Sequence, residues 1–136
     1  MIRIALDTSA LVYLVEGTSA ARERLSQRLG PVLAAPTGQV VASRLARLEC
    51  RVKPLREGNS ALLKQYDAIF AAEELVLVDV TAAVLDRATE LRARHGFKTP
   101  DAIHLATAIE AGAEAFLTGD TGLAKCTDVS VEVFAP

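Results

Sequence analysis

Thr99-Pro100-Asp101-Ala102-Ile103-His104-Leu105-Ala106-Thr107-Ala108-Ile109-Glu110-Ala111-Gly112 leads, two residues later, into Ala115-Phe116-Leu117-Thr118-Gly119-Asp120. The first stretch predicts a helix over Pro100 to Ala111. Thr99 and Pro100 read as N-cap and first helical residue, and Gly112 stands where a left-handed residue closes a helix. The second stretch predicts a strand over Ala115 to Leu117, bounded by turn-forming residues. The helix is the most apolar in the chain, which places it centrally, and a helix feeding a strand points to an α/β architecture.

Reading outward, apolar runs with β-branched residues predict further strands over Ile2 to Leu6, Leu75 to Val80 and Val129 to Phe134. A shorter one is predicted over Val40 to Ala42, with Ser43 as N-cap of the following helix. Helical spacing covers Ser9 to Val15, Ser19 to Leu29, Arg44 to Lys53, Ser60 to Ala72 and Ala82 to Arg94. Gly30 and Pro31 are expected to end the second helix, Pro54 to stop or kink the third, and Gly96 to close the fifth. Pairs of helices between strands describe an α/β fold with a central, mainly parallel sheet flanked by helices, in a single domain over residues 1–136.

Composition narrows the function classes. With 136 residues and 51% hydrophobic side chains, the chain has ample material for one core. The longest stretch without an ionisable group, Leu29 to Ser43, is broken by Pro31, Pro36 and Gly38 and falls short of the roughly 20 apolar residues of a membrane span. Asp7 lies inside the amino-terminal apolar run, so no secretory leader is expected and a cytoplasmic location is. Cys50 and Cys126 form no CxxC or Cys/His grouping, which argues against a disulfide framework and a zinc site. A net charge of −2 and 4% aromatics give neither a global basic field nor a base-stacking surface. The exception is local: Arg44, Arg47, Arg51, Lys53 and Arg56 occur with Glu49 as the sole acid among them.

Four acids stand out by placement. Asp7 follows the first strand, and Asp120 follows the strand ending at Leu117; ligands of open parallel sheets bind at the carboxyl ends of strands. Each also suits a helix cap. Glu49 falls within an apolar stripe of Leu45, Leu48 and Val52, where a carboxylate needs a compensating cation from Arg44, Arg51 or a lysine elsewhere. Asp101 stands in the first helical turn, where the helix dipole favours an acid and where the central helix aims at the sheet edge. Brought together, four carboxylates repel one another and call for a cation. An all-oxygen set without His or Cys suits Mg²⁺ or Mn²⁺, whose chemistry at such sites is phosphodiester hydrolysis.

The other titratable residues carry less. His104 within the apolar helix reads as a core histidine or one that supports the acids rather than as a ligand, and His95 ends a helix where a cation is favoured. Asp67, Asp79, Asp86 and Asp128 read as solvated or paired.

Asp7-Thr8-Ser9-Ala10-Leu11, Arg47-Leu48-Glu49, Thr99 to Ala108, and Phe116-Leu117-Thr118-Gly119-Asp120 together resemble the PIN-domain family, specifically the VapC toxins of type II toxin–antitoxin pairs. The resemblance spans nearly the whole chain in the right order. It implies a Mg²⁺- or Mn²⁺-dependent endoribonuclease whose acidic quartet falls on Asp7, Glu49, Asp101 and Asp120. Asp7, Asp101 and Asp120 then chiefly hold the metal, and Glu49 orients the attacking water or acts as base. It also implies an antitoxin that blocks the site and a toxin homodimer. Thr118 matches the family's small polar residue before the last acid, expected to orient a ligand or bind phosphate, and Ser43 falls where the family often has a serine. Thr121, Gly122 and Leu123 stand where some members carry a further acid, which leaves one metal or two open. Arg44, Arg47 and Arg51 are expected on one helix face adjoining Glu49, to steer RNA phosphates or to dock the antitoxin.

Two other readings compete. One is a catalytically idle PIN-like module that only binds a partner. The other is a phosphoacceptor receiver domain, which also gathers acids, a Thr and a Lys at strand ends, but which wants paired acids after the first strand and strict alternation of strand and helix.

Overall fold

The computed structural model describes residues 2–134. In chain order its elements are β1 (Arg3–Leu6), α1 (Thr8–Glu16), α2 (Ser19–Ala34), β2 (Gln39–Ser43), α3 (Arg44–Glu57), α4 (Ser60–Ala71), β3 (Leu75–Val78), α5 (Ala82–His95), α6 (Thr99–Glu110), β4 (Ala115–Thr118), a short 3₁₀ turn (Thr121–Lys125) and β5 (Ser130–Val133). Every strand pairs parallel, in the order β3-β2-β1-β4-β5. The short run at Val40 to Ala42 is thus a full strand, paired on both sides.

Alternation along the central strands builds two cores. Ile4 and Leu6 of β1, Val40 and Ala42 of β2, and Ala115 and Leu117 of β4 face α1, α2 and α4, where Leu11, Leu25, Leu29 and Tyr66 cover them. Ala5, Val41 and Phe116 point the other way, against Leu91 of α5 and Leu105 of α6. All residues from Ala102 to Ala108 are buried, which is why that helix is apolar on every side. No helix among the described residues is long and apolar enough to cross a membrane.

Several boundaries differ from expectation for identifiable reasons. Gly30 and Pro31 do not end α2, and Pro54 does not end α3. Each proline lies one turn from its helix end, where a proline forfeits only one backbone hydrogen bond. The buried side chains of Val32 and Pro54 continue the core-facing side past those points. At α6, Thr99 is the first helical residue rather than the cap; Lys98 precedes it and offers no side-chain cap. Gly96 closes α5 in the left-handed region at φ 71°. β3 stops at Val78, so Asp79 lies beyond the strand, and a 3₁₀ turn follows Asp120 where the sequence shows no helical spacing.

The strand order also decides between architectures. From β1 the chain moves outward through β2 to β3, then crosses back to β4 on β1's other side and continues to β5. The direction therefore reverses between β1 and β4, and in open parallel sheets such a reversal marks the ligand crevice at the carboxyl ends of the two strands. A receiver domain has the order 2-1-3-4-5 and one helix per crossover. The order found here, with helix pairs α1–α2, α3–α4 and α5–α6, excludes that alternative.

Candidate metal and nuclease site

The crevice between β1 and β4 is lined from both strands. Asp7, the residue after β1, is buried, and both of its carboxylate oxygens are engaged. Oδ1 accepts the Ser9 hydroxyl at 2.6 Å and the Ala10 amide at 2.9 Å, the latter capping α1. Oδ2 accepts the Thr118 hydroxyl at 2.6 Å from the end of β4. Thr118 Oγ1 in turn accepts the Asp120 amide at 3.0 Å, and Ser9 Oγ accepts the Gly119 amide at 2.9 Å. Two hydroxyls thus bind the loop after β4 to the carboxylate after β1. Asp120 itself is exposed, and its Oδ1 caps the 3₁₀ turn at the Gly122 amide, 2.8 Å away. Both strand-end acids therefore serve as caps and also stand at the crevice.

Glu49 reaches the same crevice from α3, but not from a buried apolar stripe. The buried side of α3 is Ala46, Cys50 and Pro54, while Leu48 and Val52 are 58% and 46% exposed. Half-buried Glu49 lies on the flank of the helix. Oε1 accepts the Thr8 hydroxyl at 2.7 Å and lies 2.7 Å from His104 Nε2. In place of the expected arginine or lysine, the partners of Glu49 among the described residues are the Thr8 hydroxyl and this imidazole, which is itself buried on α6. The hydrogen bonds to His104 and Thr8 hold the Glu49 carboxyl below its ordinary value, against the opposing effect of burial.

Asp101 enters from the first turn of α6, half-buried, and makes no hydrogen bond among the described residues. Burial is the main cause that raises its carboxyl, and the charges of Asp120, Asp7 and Glu49 raise it further, against a lowering by His104. The four acids therefore share one electrostatic environment, with mutual repulsion felt most where no donor compensates.

Among the described residues, no three or more His, Cys, Asp or Glu side chains already form a set of metal ligands. By donor type, the residues suit a hard cation: four carboxylates surrounded by hydroxyls, with Asp101 uncompensated. Cys50 offers no competing chemistry, since burial pushes its thiol up to about 12.

Ser43 is buried at the end of β2, and its hydroxyl accepts the Leu45 amide at 3.1 Å, capping α3. Arg44 pairs with Asp79, and Arg51 with Asp67 at 2.8 Å. Arg44, Arg47 and Arg51 line an outward groove with Leu48, Val52 and Leu55. At about 100° per residue, Arg47 and Arg51 stand some 200° around α3 from Glu49. They do not adjoin it, because residues two apart face away from each other on a helix. Asp128 is paired with Arg94, as Asp67 and Asp79 are with their arginines.

Thr8 and Ser9 are the polar groups whose roles the sequence did not disclose, while His104, read as a core histidine or one that supports the acids, is found on Glu49. Consecutive hydroxyls directly after a strand-end acid were the available signal, since both can turn back on nearby carboxylates. Which distant acid Thr8 and His104 would meet depends on how α3 and α6 cross α1, which no local pattern states.

A family model described as PIN domain matches residues 4–128. Comparison with curated proteins by sequence finds no match. Among solved structures, VapBC2 from Rickettsia felis, bound to a DNA fragment from its promoter, is similar with a TM-score of 0.78 at 15% identity, over 96% of this chain and 98% of that one. The sarcin-ricin loop cleaving toxin VapC20 of Mycobacterium tuberculosis is similar at TM-score 0.68 and 23% identity, over 93% and 98% of the two chains. FitAcB from Neisseria gonorrhoeae gives 0.69 at 21% identity, over 94% and 95%. At such identities the structural likeness is one of fold.

Proposed function

The chain belongs to the PIN domain family, and from that membership we propose that it is the toxin of a type II toxin–antitoxin pair, a divalent-metal-dependent endoribonuclease acting through Asp7, Glu49, Asp101 and Asp120. The observation that carries the reading is the hydroxyl of Thr118. It joins the Asp7 carboxylate to the Asp120 backbone at the point where strand order reverses, beside an Asp101 that feels the other three acids and has no donor of its own. A site built only to cap helices has no use for the third and fourth carboxylates.

Mg²⁺ or Mn²⁺ suits this donor set. Such ions keep several waters and take few carboxylates directly, so an open ring of acids can hold one partly through water. When bound, the ion supplies an acidified water and neutralises charge on the phosphate. The chain's own contribution is placement. Asp7 is fixed by Ser9, Ala10 and Thr118, and Asp120 by the turn that follows it. Asp101 supplies the uncompensated charge. Glu49, held at one oxygen by Thr8 and His104, is placed to orient the attacking water or to accept its proton.

The outward face of α3 supports a protein partner. Leu48, Val52 and Leu55 are large, apolar, exposed and at helical spacing, and Arg47 beside them forms no ion pair among the described residues. An antitoxin or a second copy of the chain would cover them.

The test is mapping of new RNA 5′ ends after a brief pulse of expression, wild type against Asp101→Asn. Discrete ends found only with the wild type support the reading and identify the RNA. Identical maps from two folded proteins overturn it in favour of an idle binding module.

A further inference from the structure

His104 is more than a core histidine that happens to be satisfied. Its side chain is buried in the middle of α6, yet Nε2 emerges between two polar groups, 2.7 Å from Glu49 Oε1 and 3.1 Å from Thr8 Oγ1. Nδ1, by contrast, is buried without a partner among the described residues. A proton on Nδ1 would be a buried donor with nothing to accept it, whereas a bare Nδ1 is a missed acceptor, the less costly of the two. The ring is therefore oriented with its N–H at Nε2, directed at the carboxylate. The Thr8 hydroxyl donates to the same Glu49 oxygen at 2.7 Å. Two donors from two different helices converge on Oε1, and no hydrogen bond among the described residues engages Oε2.

We propose that His104 is the positioning residue for Glu49: with Thr8 it pins one carboxylate oxygen and so leaves the other turned to the crevice for metal or water. The inference rests on the nuclease reading of the site and deepens it. It explains why Glu49, on the flank of a solvated helix with a flexible side chain, can hold one orientation. It also explains why the buried stretch Ala102 to Ala108, apolar except for Thr107, carries a histidine three residues after Asp101. Both acids are then set by one helix, Asp101 from its first turn and Glu49 through the imidazole of the next.

The experiment compares His104→Leu, which keeps the volume and removes the donor, with His104→Gln, whose amide N–H reaches the place of Nε2. Mn²⁺ affinity is read by electron paramagnetic resonance, alongside cleavage of a random-sequence single-stranded RNA pool and thermal melting. Loss of a group that orients a metal-site carboxylate costs roughly 10- to 100-fold in affinity or activity. His104→Leu is expected to show that loss, His104→Gln to restore most of it, and His104→Leu to add nothing to Glu49→Ala. Equal behaviour of the Leu and Gln variants, an unchanged Leu variant, or an additive loss over Glu49→Ala overturns the proposal. Long-range ¹H–¹⁵N spectra of the metal-free wild type decide it independently should the Leu variant fail to fold. A proton on Nε2 that loses its hydrogen-bonded shift in Glu49→Ala is expected, and a proton on Nδ1 overturns the proposal. Wild-type protein that binds Mn²⁺ and cuts no RNA overturns the nuclease reading alone; wild-type protein that binds no Mn²⁺ overturns both.

Discussion

Thr118 Oγ1 donates to Asp7 Oδ2 at 2.6 Å across 111 positions of sequence, and the same oxygen accepts the Asp120 amide at 3.0 Å. One fully buried hydroxyl thus relates the two strand-end acids. Thr118→Val keeps the shape and removes both bonds. The expected cost is about 2 kcal/mol of stability, the scale of a hydrogen bond to a charged group. RNA cleavage is expected to fall roughly 10- to 100-fold, since Asp7 and the Asp120 loop lose their common anchor. Thr118→Ser is expected to keep most of both. Urea denaturation and single-turnover cleavage check the two parts separately.

The mutual repulsion of the acids predicts an inverted stability effect. Asp101 is raised by burial and by Asp120, Asp7 and Glu49 and has no donor in return. In the metal-free protein its charge is a liability, so Asp101→Asn is expected to melt at a higher temperature than the wild type. With Mn²⁺ added the order narrows or reverses, because the ion stabilises the wild type by mass action. Calorimetry in chelator and in Mn²⁺ checks both statements; a metal-free variant that melts below the wild type would remove Asp101 from the cluster.

How far the sequence discloses this molecule follows from which features are local. Strands at Ile4, Val41 and Phe116 and the buried helix at Ala102 to Ala108 are legible because their apolar residues are covered on every side. The strand-end positions of Asp7 and Asp120 follow from the same runs. Pro31, and Pro54 where it is taken as a stop, mislead because a proline's local cost is outweighed by the packing of Val32 and of Pro54 itself. Glu49 misleads more instructively. Its neighbours Leu48 and Val52 are apolar yet exposed, so the stripe lies on the outside of the molecule rather than in the core. The bonds from Thr8 and His104 to Glu49 span 41 and 55 positions, and such pairings exist only once the helices cross.

The edge strand β5 carries the pH prediction. Arg28 of α2 grips Glu132 with two bonds, at 2.7 and 2.9 Å. The hydrogen bond to Arg28 holds the Glu132 carboxyl below its ordinary value of 4.5. A lowered folded-state value means that the unfolded chain takes up its proton first. The stabilisation is therefore complete above pH 4.5 and is lost as pH falls through the lower folded-state value. Both side chains are about 40% exposed, so solvent screening keeps the effect within roughly 1 kcal/mol. Glu132→Gln is expected to flatten this part of the acid limb of stability against pH, and high salt to shrink the difference.

Gly119 lies between Thr118 and Asp120 with no unusual backbone angle, since the positive-φ glycines are Gly58, Gly96 and Gly112. Its requirement is one of space: a Cβ there would come within 2.7 Å of Tyr13 Cε2 and 3.5 Å of Ser9 Oγ. Tyr13 cannot easily retreat, because its ring packs edge-on against Phe134 at 5.3 Å between centroids. Gly119→Ala must therefore push the loop after β4 outward. That lengthens the 2.9 Å bond from its amide to Ser9 and displaces Asp120 from the crevice. Overpacking of this kind costs about 1–3 kcal/mol, and cleavage is expected to fall with it. Shortening the obstacle restores the space, so Gly119→Ala combined with Tyr13→Leu is expected to recover activity that Gly119→Ala alone loses. Cleavage rates of the two single variants and the pair distinguish a steric requirement from a backbone one: if the second substitution rescues nothing, the clash with Tyr13 is not why glycine stands at this position.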